Sequence, residues 1–189
     1  SELTPLSSTV LVKLVEDAGI PKGLINVING LGHTTGAAAI ANPATKKVVF
    51  VGSPKTGGII AAAAAQRVIP CVLELGGKSA NIIFNDADVD RAVVGAQAAV
   101  FAAAGQSCVS GSRLLVHQDV YGEVVERLAS ATSKIPVGLP WHESTMVGPI
   151  NNEAQYNHVR GLVADGIAEG AAVASGGSPA EVNGGEHGY

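Results

Sequence analysis

The sequence predicts an α/β fold with parallel strands flanked by helices. Three short apolar runs, residues 24–28, 47–51 and 70–75, alternate with Ala-rich stretches. Parallel neighbours need helical crossovers of this kind between them. At Gly52-Ser53-Pro54 a strand-like run passes directly into a helix-like one. The composition agrees: aromatic residues are only 4% of the 189, which leaves Ala-rich helices packed on Val/Ile strands to make the core. A chain of this length buries a core and fits one or two small domains.

Taken in order, Thr4 or Ser7 caps a helix over residues 6–18, with Leu6, Val10, Leu11, Leu14 and Val15 on one face. Gly19-Ile20-Pro21 ends it. Residues 24–28 read as a short strand, followed by Gly30, Gly32 and Gly36 and a second Ala-rich helix. That glycine spacing is only a weak dinucleotide fingerprint. Residues 47–51 form the next strand, and Gly52-Ser53 turns into a helix reaching Gln66. Ser53 suits the N-cap and Pro54 the first helical position. Strand, Gly-Ser turn and helix together aim backbone N–H groups at an anion. A Walker A loop is excluded, because Gly58-Ile59 follows Gly57 where that loop needs Lys and Ser or Thr.

Residues 70–75 give a third strand ending at Glu74-Leu75, and Cys71 reads as core. After Gly76-Gly77-Lys78, residues 79–84 form another strand. Asp86, Asp88 and Asp90 suit the start of a long helix that runs towards Ala104. Gly105 breaks it, and Gln106-Ser107-Cys108 follows in a loop. Residues 114–117 are a strand. Residues 120–134 are a helix with Val124, Val125 and Leu128 inward, and residues 153–169 a last helix before a Gly-rich tail.

Two chemical groups stand out on this frame. Glu74 lies at the carboxyl end of a strand, where catalytic groups of parallel sheets gather. Cys108 lies in a Gly-containing loop. A nucleophilic thiol and a carboxylate able to activate water suffice for covalent acyl chemistry. Taken alone, a Glu beside Gly-Gly is an ordinary turn charge, and a lone Cys an ordinary small hydrophobe.

Glu74-Leu75-Gly76-Gly77-Lys78 followed by Gly105-Gln106-Ser107-Cys108 resembles the NAD(P)-dependent aldehyde dehydrogenase superfamily. Further motifs appear in the family's order: Ser1-Glu2, Gly52-Ser53, Ile135-Pro136-Val137-Gly138 and Met146-Val147-Gly148-Pro149-Ile150. The chain is less than half the length expected of a full member. The resemblance implies parallel sheets of Rossmann-like type flanked by helices, drawn from parts of two domains. Residues 1–74 would be the C-terminal part of the NAD-binding domain, and residues 75–189 the N-terminal part of the catalytic domain.

It also implies roles. Cys108 would be the nucleophile and Glu74 the base, with a thiohemiacetal and then a thioester on Cys108. Glu2 would hold the adenosine ribose, which favours NAD while leaving NADP open. Gly32 and Gly36 would lie at the adenine end, Gly52 and Ser53 at the pyrophosphate, and Leu75 and Gly76 at the nicotinamide end. Val51 stands where the family usually has Thr, so a hydroxyl near the nicotinamide is missing. The family's oxyanion Asn and ribose Lys would lie before Ser1, and a second cofactor Glu after Tyr189. Phe101 and Ser107 are the local candidates for substrate selectivity. The expected substrate is a small aldehyde, and a full-length member is expected to be a homo-oligomer. A fragment without activity, or a structural or binding protein derived from the family, is the alternative. A cofactor-free thiol hydrolase fits less well, because no His is placed to activate Cys108 and the Gly52-Ser53 turn would have no use.

The remaining features mainly exclude. A net charge of -4 gives no basic footprint for nucleic acid. Two cysteines are too few for a disulfide framework. The five His show no pair at metal-ligand spacing, so no metal site is expected. Residues 92–112 are uncharged and long enough to span a bilayer, but a third of them are weakly apolar Ala, and they include Gln97, Gln106 and several Ser and Gly. They read as a buried helix running into a loop, not a membrane span. No signal peptide is visible, so the cytoplasm is the expected compartment.

Overall fold

A computed structural model describes residues 1–185 and 188–189. The chain divides into two compact units, Ser1–Leu75 and Gly76–Tyr189.

The first unit opens with helix α1 (Pro5–Asp17). Thr4 occupies its N-cap position without a side-chain cap bond, and Pro5 starts the helix. A π-helical turn (Gly32–Gly36) runs into α2 (Ala37–Ala41), which packs on α3 (Pro54–Gln66). The Arg67 guanidinium ties these helices together by donating to the carbonyls of Ile40 and Thr45. Strands β1 (Val48–Gly52) and β2 (Cys71–Leu75) pair in parallel, with α3 as the crossover. Ile60 and Ala64 on α3 are buried, as is Val48 at the start of β1.

Three expectations need correction here. Residues 24–28 are not a strand. No main-chain ladder reaches them among the described residues, and a strand exists only through such a ladder. The predicted inner face of α1 is open instead, with Leu6, Val10, Leu11 and Leu14 all exposed. The second Ala-rich helix forms as expected and is short, ending before Asn42-Pro43, where proline disfavours helical geometry in its predecessor. Cys71 is half-buried rather than core: it lies on the α3-facing side of β2, but β2 is an edge strand of a two-stranded sheet.

The second unit repeats the pattern. Strands β3 (Ala80–Ile83) and β4 (Arg113–Val116) pair in parallel, with helix α4 (Val89–Phe101) between them in sequence. Asp88 caps α4 by accepting the Arg91 N–H at 3.1 Å. Helix α5 (Tyr121–Thr132) packs on α4 through Val124, which is fully buried, with Val125 and Leu128 half-buried beside it. Arg127 adds exposed ion pairs to Asp90 and Glu123, which contribute little in water. Helix α6 (Glu153–Ala168) starts from Asn152, whose side chain accepts the Gln155 N–H at 2.9 Å. The sheets are thus two separate parallel pairs, not one continuous sheet. The long helix also stops before Ala104: a 3₁₀ turn (Ala102–Gly105) follows Phe101, with Ala103 and Ala104 at positive φ. None of the helices among the described residues is long and apolar enough to cross a membrane.

Candidate active site

The carboxyl edge of the first sheet gathers four of the candidate residues. In the parallel register Val51 faces Glu74 and Gly52 faces Leu75. Both strands therefore leave the sheet at the same level. β1 leaves through Gly52-Ser53, and β2 ends at Glu74-Leu75. Glu74 is exposed and Leu75 half-buried. A Cβ at Gly52 would lie 2.5 Å from the tip of the Phe50 ring, so a larger residue there would need that ring to shift.

Ser53 is extended and caps α3, its Oγ accepting the Thr56 N–H at 3.2 Å. Pro54 has no N–H, so the Lys55 N–H is left to point out of the helix start. The first turn of α3 holds no acidic residue, and the Lys55 side chain makes no ion pair among the described residues. Partial positive charge from the helix and a free cation thus coincide at one turn, which suits a pyrophosphate.

The other candidates of this unit lie on separate segments. Glu2 is exposed in the turn before α1. Gly32 and Gly36 bound the π-helical turn, with open space where a Cβ would stand on either. No recorded hydrogen bond links Glu2, Gly32 or Gly36 to the Gly52-Ser53 turn among the described residues.

The second unit carries Gly76 and Cys108. Gly76 is exposed in the loop leading to β3. Cys108 is exposed in a turn closed by the Ser110 N–H donating to the Ser107 carbonyl at 3.2 Å. Ahead of it, Ala103, Ala104 and Gly105 are all left-handed, so the chain reverses sharply out of the helix. Behind it, the Gly111 N–H donates to the Ala99 carbonyl at 3.0 Å and pins the loop back on α4. A Cβ at Gly111 would stand 3.1 Å from the Asn81 Cβ and 3.3 Å from that of Ala99. The Cys108 loop is therefore held at its exit by close packing of Gly111 against Asn81 and Ala99.

Sequence reasoning missed one tie in this unit. Arg113 Nε donates to the Lys78 carbonyl at 2.7 Å, and its N–H to the Ser79 carbonyl at 3.1 Å. The residue that ends the Cys108 loop thus holds the end of the Glu74-Leu75-Gly76-Gly77-Lys78 motif. A basic residue opening a strand was the only sequence signal. Lys78 Nζ donates to the Gly77 carbonyl at 3.0 Å and forms no ion pair among the described residues. Ser110 is buried, and its Oγ has no hydrogen-bond partner among them. No three His, Cys, Asp or Glu side chains cluster as metal ligands among the described residues, and His187 lies outside those residues.

Compared with known proteins, the whole chain, residues 1–189, matches the model of the aldehyde dehydrogenase family. The chain belongs to the aldehyde dehydrogenase family. A betaine aldehyde dehydrogenase of Brucella anthropi is 42% identical over all of this chain, which covers 39% of that relative. The chain thus spans about two fifths of the length of the curated relatives it matches. Among solved structures, the NAD+ complex of a Bacillus cereus aldehyde dehydrogenase aligns over all of this chain and 38% of its own, at TM-score 0.93 and 38% identity. A betaine aldehyde dehydrogenase variant of Staphylococcus aureus, solved with NAD+ and a BME-modified cysteine, aligns over 96% of this chain and 37% of its own, at TM-score 0.89 and 37% identity. The α/β fold with parallel strands is the fold of these enzymes.

Proposed function

We propose that this chain takes part in oxidising an aldehyde to a carboxylic acid, with NAD as hydride acceptor and NADP left open. Family membership over the whole chain, together with Glu74 at the carboxyl edge of β2, carries this reading. The first unit supplies the C-terminal part of the cofactor domain and the second the N-terminal part of the catalytic domain. The expected full-length protein is a homo-oligomer.

Ser53 and the start of α3 would hold the pyrophosphate, an assignment supported by the acid-free first turn and the free Lys55. Glu2 would take the adenosine ribose, Gly32 and Gly36 the adenine end, Gly52 the close backbone approach, and Leu75 and Gly76 the nicotinamide end. NAD, when bound, supplies the hydride acceptor.

The protein's own residues do the rest. The Cys108 thiolate adds to the aldehyde carbon, since a thiol is a poor nucleophile. The resulting thiohemiacetal oxyanion needs donors, and the Cys108 N–H is the one this loop offers. Once the carbon is oxidised to the thioester, Glu74 takes a proton from water. The hydroxide attacks the thioester carbon, the C–S bond breaks, and the acid leaves with Cys108 restored as thiolate. The exposure of Cys108 and Glu74 supports access by substrate and water.

Turnover tests this reading: NADH formation by the purified protein with aliphatic and aromatic aldehydes, beside Cys108→Ala. NADH formation that Cys108→Ala abolishes is the expected result. Tight NAD binding without any NADH would instead favour a binding or structural protein derived from the family.

A further inference from the structure

We propose that Arg113 is a positioning residue for the cofactor, holding the Gly76-Gly77-Lys78 arm in the place from which Gly76 meets the nicotinamide end. This role rests on the proposed assignment of Gly76. The arm joins β2 to β3 in sequence. Little else holds it. Gly76 and Gly77 have open space where a Cβ would stand, so no side chain packs against them there. All three residues are exposed. Among the described residues, the Lys78 carbonyl is the only main-chain group of the arm bonded from outside it, and its donor is Arg113 Nε at 2.7 Å.

The anchor is itself fixed at two points. Arg113 opens β4, and its own N–H donates to the Ser79 carbonyl at 3.1 Å. Two residues earlier, the Gly111 N–H is bonded to the Ala99 carbonyl of α4 at 3.0 Å. No carboxylate pairs with the Arg113 guanidinium among the described residues, so none competes with the Lys78 carbonyl. A glycine pair has wide backbone freedom, and each residue ordered on binding costs about as much as a ten-fold loss of affinity. An arm ordered beforehand avoids that loss. The Arg113 side chain supplies the order, and a charged donor makes its bond stronger than a neutral one. The main-chain bond to Ser79 survives substitution of the side chain, so variants at Arg113 loosen the arm and leave β3 and β4 paired.

Trypsin reads the arm, and NAD titration reads the cofactor site. Lys78 is exposed, and the carbonyl that Arg113 holds is the one trypsin attacks. The expected result is cleavage after Lys78 about ten-fold faster in Arg113→Gln than in the unmodified protein, as for loss of a charge-assisted bond. Cleavage after the exposed Lys134 should be unchanged, and NAD should bind about ten-fold more weakly. Arg113→Lys, which keeps a charged donor, should fall between. Unchanged cleavage after Lys78, or faster cleavage with equal NAD affinity, would overturn the proposal. Equally faster cleavage after Lys78 and Lys134 would overturn it too, marking a general loss of stability. If the unmodified protein binds no NAD, the oxidation reading fails and this role with it, whereas equal affinity in the unmodified protein and Arg113→Gln removes this role alone. Should Arg113→Gln not fold by circular dichroism, Arg113→Lys decides by the same two readings, each shifted the same way and by less, and no shift in either would overturn the proposal.

Discussion

Val51 and Glu74 are register partners across the parallel pair β1–β2. Register partners in a sheet present their side chains to the same face, and here both are exposed. One residue further on, Gly52 and Leu75 pair across the sheet, and the chain leaves β1 for the Ser53 turn. The candidate base and the candidate pyrophosphate turn therefore share one sheet edge through the β1–β2 ladder.

Ser53 separates capping from anion binding. Ser53→Ala removes the bond to the Thr56 N–H, and should lower stability by about 1 kcal/mol. Ser53→Asp keeps a capping oxygen and should stay near the original stability, yet its charge should weaken NAD binding. Urea unfolding and NAD titration of the two variants check both halves.

Gly57 and Leu75 are in close contact. A Cβ on Gly57 would lie 2.7 Å from Leu75 Cδ2, in the middle of the βαβ unit that carries Glu74. Ala is the better helix former by about 1 kcal/mol, and crowding of Leu75 opposes that gain. Gly57→Ala should thus change stability little on its own. In a Leu75→Ala background it should stabilise by about 1 kcal/mol, a coupling that a double-mutant cycle measures.

Ala104 reverses the usual rule. Its φ of 53° is left-handed, a region that costs a residue with a Cβ roughly 1–2 kcal/mol. Ala104→Gly should therefore stabilise the protein, by up to about 1 kcal/mol after the added chain entropy of glycine. The exposed Ala98 inside α4 is the control, where Ala98→Gly should lose about 1 kcal/mol. Thermal melts compare the two.

These contrasts mark what the sequence makes legible. The Ser53-Pro54 start of α3 and the Asp88 start of α4 are local, set by residues within one helical turn of each other, and both caps form. The strand expected at residues 24–28 depends on a partner far away in sequence, and apolar composition alone does not supply one. Ala103 and Ala104 are strong helix formers by composition, so their left-handed turn ahead of Cys108 has no local signature. Arg113 reaches back to Lys78 across the α4 crossover, a contact created only when β3 and β4 pair. Glu74 and Cys108 were found by motif, and the structure describes their surroundings unit by unit.

The central claim is that Cys108 carries the substrate and Glu74 releases it. It is tested most directly by quenching Glu74→Gln after mixing with NAD and an aldehyde, then mapping adducts by peptide mass spectrometry. The account predicts an acyl group of the aldehyde's mass on the Cys108 peptide. It should accumulate in Glu74→Gln, turn over in the unmodified protein and be absent from the Cys71 peptide. An adduct on Cys71 instead, or a Cys108 peptide left unmodified in Glu74→Gln while the unmodified protein still makes NADH, would contradict it.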